Sequence, residues 1–298
     1  MHKILVTGAS GVLAKNLIKK FSEENGFKII ASSRNIENLN KIDGVHYVNN
    51  NELIDSKILT NIDTIINCAF PRKYEPNILA EALAFYASLI DKAVDLKVKS
   101  IINISSQDIY GNYREIPADE LTQINPQNNY ALTKFSTEVI GSSIVKNSNT
   151  KLTNIRLGSL IGEGYPERVI NKIISNAINT KIISINNDKN IFGYMDVEDS
   201  VNGIIAFVKN SKPEKWTGIY NFGQKYAEQK SFKFIVQTIA DCFRDQKINI
   251  ELDITETEMA EKLCLLNSSS FYKVANWKPQ ISLKTSIERI FEKILNEN

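Results

Sequence analysis

Cysteine and histidine are scarce in this 298-residue chain, which has Cys68, Cys242 and Cys264 and only His2 and His46. Three scattered thiols cannot build a disulfide framework, and with two imidazoles they offer no ligand spacing for a metal. No metal centre is expected, and a reducing cytoplasm is the expected setting. No apolar run reaches the roughly 20 residues that cross a bilayer. Ile4-Leu5-Val6 passes at once into a glycine turn, so the N-terminus reads as a buried first strand and not as a signal peptide. A dominant charge is missing too: 36 Lys plus Arg face 34 Asp plus Glu. Neither a nucleic acid nor a membrane surface is expected as partner.

What is present is an ordinary globular composition, 43% hydrophobic, in a chain long enough for one large α/β domain or two lobes sharing a core. Lys3 to Thr7, Lys28 to Ser32, Val45 to Val48, Thr64 to Cys68, Ser100 to Ser105 and Lys151 to Arg156 read as buried strands. Between the earlier ones, Val12 to Phe21 and Ile78 to Leu96 have helical spacing. This alternation predicts an α/β fold: a doubly wound, parallel Rossmann sheet with right-handed crossovers and a smaller, mostly C-terminal substrate lobe. Beyond it, helices are predicted at Glu167 to Ile178, Val197 to Lys209, Phe232 to Phe243 and Leu283 to Leu295, with a returning strand at Gly218 to Phe222. Ile182 to Asn190 reads as polar and broken. No linker or repeat divides the chain, so two interleaved units are expected: residues 1–157 plus about 196–222 for dinucleotide binding, and about 158–195 plus 223–298 for substrate.

The first strand ends in Thr7-Gly8-Ala9-Ser10-Gly11-Val12-Leu13-Ala14. Gly8 permits a tight turn, Gly11 lets backbone approach a pyrophosphate, and Ala14 is small enough for the following helix to lie on the sheet. The helix N-terminus then faces the phosphates. The second strand ends in Ser32-Ser33-Arg34-Asn35, where a chain reserved for NAD would carry an acid for the ribose hydroxyl. Arg34 suits a 2′-phosphate instead, so NADP is favoured over NAD.

Tyr130 and Lys134 stand four residues apart on a predicted helix. At that spacing the Cβ atoms are about 6 Å apart on one face. An ammonium there favours the phenolate, and a tyrosine so tuned exchanges a proton near neutral pH, as carbonyl and alcohol redox chemistry requires.

Together with Ser105-Ser106-Gln107-Asp108-Ile109-Tyr110-Gly111 after the fifth strand, Asn67-Cys68-Ala69 after the fourth, Arg156, Val197-Glu198-Asp199, Tyr220-Asn221-Phe222-Gly223 and Asn276-Trp277-Lys278-Pro279, these stretches resemble the extended short-chain dehydrogenases/reductases. That family comprises nucleotide-sugar epimerases, dehydratases and 4-ketoreductases, and the resemblance spans nearly the whole chain. It implies that Ser106 holds the substrate oxygen, Tyr130 exchanges its proton, and Lys134 binds the nicotinamide ribose. Cofactor contacts are implied for Gly8, Ser10, Gly11, Val12 and Leu13, for Ser33 and Arg34, for Cys68 and Ala69, and for Tyr130 and Lys134. Substrate contacts are implied for Ser106, Gln107 and Ser159.

Departures from the family narrow the expectation. Dehydratases of the family place Asp-Glu after the catalytic hydroxyl, where this chain has Gln107-Asp108. An amide cannot deliver the proton that elimination needs. The arginine that grips the diphosphate in many relatives is replaced within Phe192-Gly193-Tyr194-Met195-Asp196, and an asparagine by Ser159. Arg168 or Lys172 are the candidates to replace that charge. Arg72 and Lys73, in the loop after the fourth strand, are further phosphate candidates or merely solvated. Asp199 is expected to stabilise a helix N-terminus, and Trp277 to belong to the core of the small lobe. Helices around Ile78 to Leu96 and Gln127 to Ser143 are apolar over more than one face, and relatives pair through them, so a homodimer is expected. The leading expectation is an NADP-dependent 4-ketoreductase of a nucleotide-activated 4-keto-6-deoxyhexose. A 4-epimerase using the same residues is the alternative, and a cofactor-binding protein without turnover the third.

Overall fold

A computed structural model describes all residues except 56, 72–74, 112–113, 115, 187–189, 226–227, 256–262 and 298. Arg72 and Lys73 therefore lie outside the described residues.

Strands β1 (His2–Thr7), β2 (Phe27–Ser33), β3 (His46–Asn49), β4 (Thr64–Asn67), β5 (Ser100–Ser106) and β6 (Lys151–Leu157) form a parallel sheet with the edge strand Gly218–Phe222. Its order is β3-β2-β1-β4-β5-β6 followed by that edge strand. The chain reverses direction across the sheet between β1 and β4, and the carboxyl ends of the strands there open a crevice for ligands.

Helices α1 (Val12–Glu23), α2 (Asn50–Asp55), α3 (Pro76–Asp95), α4 (Asn129–Val145), α5 (Val169–Thr180), α6 (Val197–Asn210), α7 (Phe232–Asp245), α8 (Ser269–Ala275) and α9 (Leu283–Glu297) accompany the sheet, with short ribbons and 3-10 turns besides. Alternation along β1 shows why both sheet faces are covered. Ile4 and Val6 join Leu17 and Phe21 of α1 and Phe207 of α6 in one core cluster, whereas Leu5 joins Tyr86 and Leu89 of α3 in another. A third cluster gathers Ile174 of α5, Ile239 and Phe243 of α7 and Ile287 and Phe291 of α9.

Three expectations need correction. Within 182–190, Ile182–Asn186 is a strand, paired in parallel with Glu251–Thr255. That partner is largely exposed, so no apolar alternation announces the pair. Helix α4 begins at Asn129 and not at Gln127, because the Asn128 side chain accepts a hydrogen bond from the Ala131 N–H at 2.8 Å and caps it. Asp199, by contrast, stands where expected, in the first turn of α6, where its charge favours the helix N-terminus; Asp196 is the cap, and Asp199 also accepts from the backbone N–H groups of Gln280 and Ile281. Trp277 packs on the core of the main sheet, edge-on to Phe222, and not in the small lobe. No described helix is long and apolar enough to cross a membrane.

Candidate active site

The turn after β1 is held by backbone contacts that leave no room for side chains. Gly8 has a φ of +74°, and a Cβ on it would lie 2.8 Å from the Ala69 backbone. The Gly11 N–H donates to the Gly8 carbonyl at 2.8 Å. Thr7 Oγ1 donates to Asn67 Oδ1 at 2.7 Å and accepts from the Ala69 N–H at 3.3 Å, clipping the ends of β1 and β4 together. Gly11 is the N-cap of α1, and no side chain caps it. The first-turn N–H groups and the positive end of the helix dipole thus face the crevice, which suits an anion. Ala14, 1% exposed, lies against the core beneath.

Two cavities share this turn. One, about 360 Å³, is bounded by Gly8, Ser10, Gly11, Ser33, Arg34, Asn50, Asn51, Cys68 and Ala69, with Phe70 and the start of α3 closing it. The other, about 480 Å³, runs from Gly11, Val12 and Leu13 past Cys68 and Phe70 to Ser106, Gln107, Tyr130, Lys134 and Ser159. Every residue expected at the site from sequence lines one or both. A glycine cradle that a Cβ would fill, continuous with these cavities, fits a pyrophosphate-linked dinucleotide.

Each chemical group is placed by its element. Ser106 ends β5 and is the N-cap of the short 3-10 turn Gln107–Tyr110, its Oγ accepting from the Asp108 N–H at 3.1 Å. The Asn128 cap starts α4 immediately before Tyr130, and Lys134 follows one turn later on the same face. Lys134 is buried, donating from Nζ to the Ile104 carbonyl at 2.7 Å. Burial lowers its pKa to about 8, against the opposing pull of Cys68 and Glu138. Burial also pushes the Cys68 thiol up to about 12, so it is inert as a nucleophile. Gln107 Nε2 donates to Ser159 Oγ at 2.9 Å, joining the two expected substrate contacts.

Sequence reasoning missed what stands behind these groups. Asn67 donates to Asn103 Oδ1, and Asn103 to Asn154 Oδ1, a polar ladder across β4, β5 and β6. Beside it, Arg156 and Glu138 form a buried ion pair at 2.8 Å. Ser105 Oγ donates to Glu138, Arg156 donates to the Tyr110 hydroxyl at 2.8 Å, and that hydroxyl donates to Asn221 Oδ1. Four residues beyond Lys134, Glu138 shares its helical face, and that spacing was the available signal.

On the substrate side, Asp108, Tyr165, Glu167 and Arg168 line the larger cavity. Burial raises the Asp108 pKa, opposed by Arg168 and Arg114. Arg168 lies 5.7 Å over the Tyr165 ring. Lys172 instead pairs with Glu167 at 3.3 Å on the surface. In the place of the missing arginine, Phe192 stacks on Tyr194 at 5.3 Å and meets Phe232 edge-on.

A family model for NAD dependent epimerase/dehydratase proteins matches residues 4–223. The chain belongs to the NAD-dependent epimerase/dehydratase family. Within the family it is 21% identical over 319 residues to a bovine dTDP-D-glucose 4,6-dehydratase, covering 97% of this chain and 88% of that one. It is 24% identical over 336 residues to dTDP-4-dehydro-6-deoxyglucose reductase of Escherichia coli, covering 98% and 97%. A UDP-glucuronic acid 4-epimerase of Bacillus cereus, solved with UDP-glucuronic acid and NAD, superposes with a TM-score of 0.81 at 18% identity, covering 99% of this chain and all of that one. That likeness shows the shared fold.

Proposed function

We propose that this family member is an NADP-dependent 4-ketoreductase acting on a nucleotide-activated 4-keto-6-deoxyhexose. The observation that carries the reading is that Ser106, Tyr130 and Lys134 line one cleft continuous with the glycine cradle. When bound, the dinucleotide supplies the hydride. Ser106 Oγ donates a hydrogen bond to the keto oxygen and orients it. As hydride reaches the carbonyl carbon, the carbonyl π pair moves onto oxygen, which takes the proton of the Tyr130 hydroxyl. The buried Lys134 ammonium stabilises the phenolate left behind. The Arg34 guanidinium, beside Ser33 in the smaller cavity, meets the 2′-phosphate with charge-assisted hydrogen bonds. Arg168 at the cleft wall supplies the charge for the substrate diphosphate, while Lys172, which does not line the cleft and is paired with Glu167, does not.

Gln107 argues against dehydration, because its amide is already engaged with Ser159 and carries no proton to deliver. The fold's likeness to a 4-epimerase supports the second reading, hydride return to the opposite face of the sugar. The deciding experiment incubates the protein with NADPH and a nucleotide-linked 4-keto-6-deoxyhexose. Stoichiometric NADPH oxidation with formation of the hydroxy sugar is expected. Interconversion of 4-epimeric nucleotide sugars without net cofactor turnover would overturn the reductase in favour of the epimerase.

A further inference from the structure

Phe70 follows β4 within Asn67-Cys68-Ala69-Phe70-Pro71, and its backbone is held from both sides. Ala69 is pressed against Gly8 and donates its N–H to Thr7 Oγ1, and Pro71 restricts the residue before it to extended geometry. The side chain reaches the boundary between the two cavities and lines both. There the Lys134 ammonium lies 4.3 Å from the centre of its ring, and the ring meets that of Tyr130 in a T-shaped contact with centroids 5.5 Å apart and planes at 78°. One aromatic ring thus touches both members of the pair assigned to proton transfer.

The chemistry of these contacts is specific. Among the described residues, the buried Lys134 ammonium has exchanged water for the Ile104 carbonyl as acceptor, and the electron-rich face of a ring is an electrostatic partner that an aliphatic side chain does not offer. The edge-to-face contact fixes the plane of Tyr130, and with it the direction of the phenolic O–H. We propose that Phe70 is a positioning residue for proton transfer, its ring face keeping Lys134 in the charged form while its T-shaped contact orients Tyr130. The proposal rests on the assignment of Tyr130 and Lys134 made above. Acting on Lys134, besides Phe70, are Cys68 just after β4 and Glu138 from its own helix, which pairs in turn with Arg156 of β6; Tyr130 lines the same cleft.

The test follows the Lys134 titration directly, by NMR of lysine side-chain nitrogens in the cofactor-free protein, with the resonance assigned from Lys134→Arg. Phe70→Leu keeps apolar bulk and removes the ring, and the Lys134 midpoint is expected to fall by about one unit. Phe70→Tyr should restore it. Trifluorophenylalanine at position 70 keeps the shape and drains the ring face of electron density. It should give an intermediate fall and serves should Phe70→Leu not fold. Midpoints that coincide in native protein, Phe70→Leu and the fluorinated protein would overturn the proposal. The pH at which NADPH oxidation fails should move with the midpoint. Shifted midpoints in a protein inactive towards every ketosugar would sustain the role of Phe70 and reject the ketoreductase, whereas activity with unshifted midpoints would do the reverse.

Discussion

Lys134 sits with its ammonium between the Ile104 carbonyl and the face of Phe70, almost out of contact with water. Desolvation there disfavours the charged form and lowers its pKa to about 8, so the ammonium charge, and with it the support proposed for Tyr130, is lost as pH rises through that value. Turnover is accordingly expected to be sustained at neutral pH and to fall on the alkaline side of about 8, read from the pH dependence of kcat/KM. A rate that stays level far above that point would contradict this role. At the other end of the crevice, Arg34→Ala tests the proposed preference for NADP, since it removes the charge from the wall of the smaller cavity. We expect roughly a ten-fold or greater loss of NADPH affinity, with NADH affinity little changed, measurable by fluorescence titration. Tyr130, Lys134 and the glycines could be singled out because their signals are local, a spacing on one helix or a turn that tolerates no side chain, and Ser106 through the resemblance; the structure places all of them on the two adjoining cavities. Arg156, Tyr110 and Asn221 were not legible as a network. They converge from three separate elements, and nothing in the sequence says which buried polar groups will meet.

At the scale of elements, the alternating strands and helices of the first half were readable because burial on both faces leaves continuous apolar runs such as Ile4-Leu5-Val6 and Thr64-Ile65-Ile66. The ribbon of Ile182–Asn186 with Glu251–Thr255 escaped notice because it joins segments far apart in the chain and has one largely exposed strand. Trp277 was placed in the wrong core because an aromatic near the C-terminus gives no sign of which layer it will reach. Packing of α3 on α4 offers a test at this scale. A Cβ on Gly141 of α4 would strike the buried Tyr86 hydroxyl of α3 and lie 3.0 Å from Leu152 of β6. Gly141→Ala is expected to cost about 1–3 kcal/mol, read from urea unfolding at equilibrium. Stabilisation instead, as glycine removal gives in an open helix, would show that α4 is not fixed as described.

For the whole molecule, the sheet order, the crevice at the reversal between β1 and β4 and the cleft leading from it bring one end of α4 to the chemistry. The outer face of the same helix leaves Leu132 and Val139 each 52% exposed. Apolar groups so placed on a long helix are the reason to expect pairing of two chains through α3 and α4. Sedimentation at micromolar concentration should give a dimer, and Val139→Asp should shift it to monomer. A native monomer would remove this expectation. Lobe division and substrate choice remained the least legible part of the chain, since the third core cluster draws on α5, α7 and α9, whose surroundings hold no motif.

The central claim is that the Tyr130 hydroxyl gives the proton that balances hydride transfer. Its most direct test is the rate of NADPH oxidation by Tyr130→Phe, saturated with cofactor and ketosugar, beside the native protein. A loss of roughly 10²–10⁴-fold with NADPH affinity unchanged is predicted, and a rate equal to that of the native protein would contradict the account.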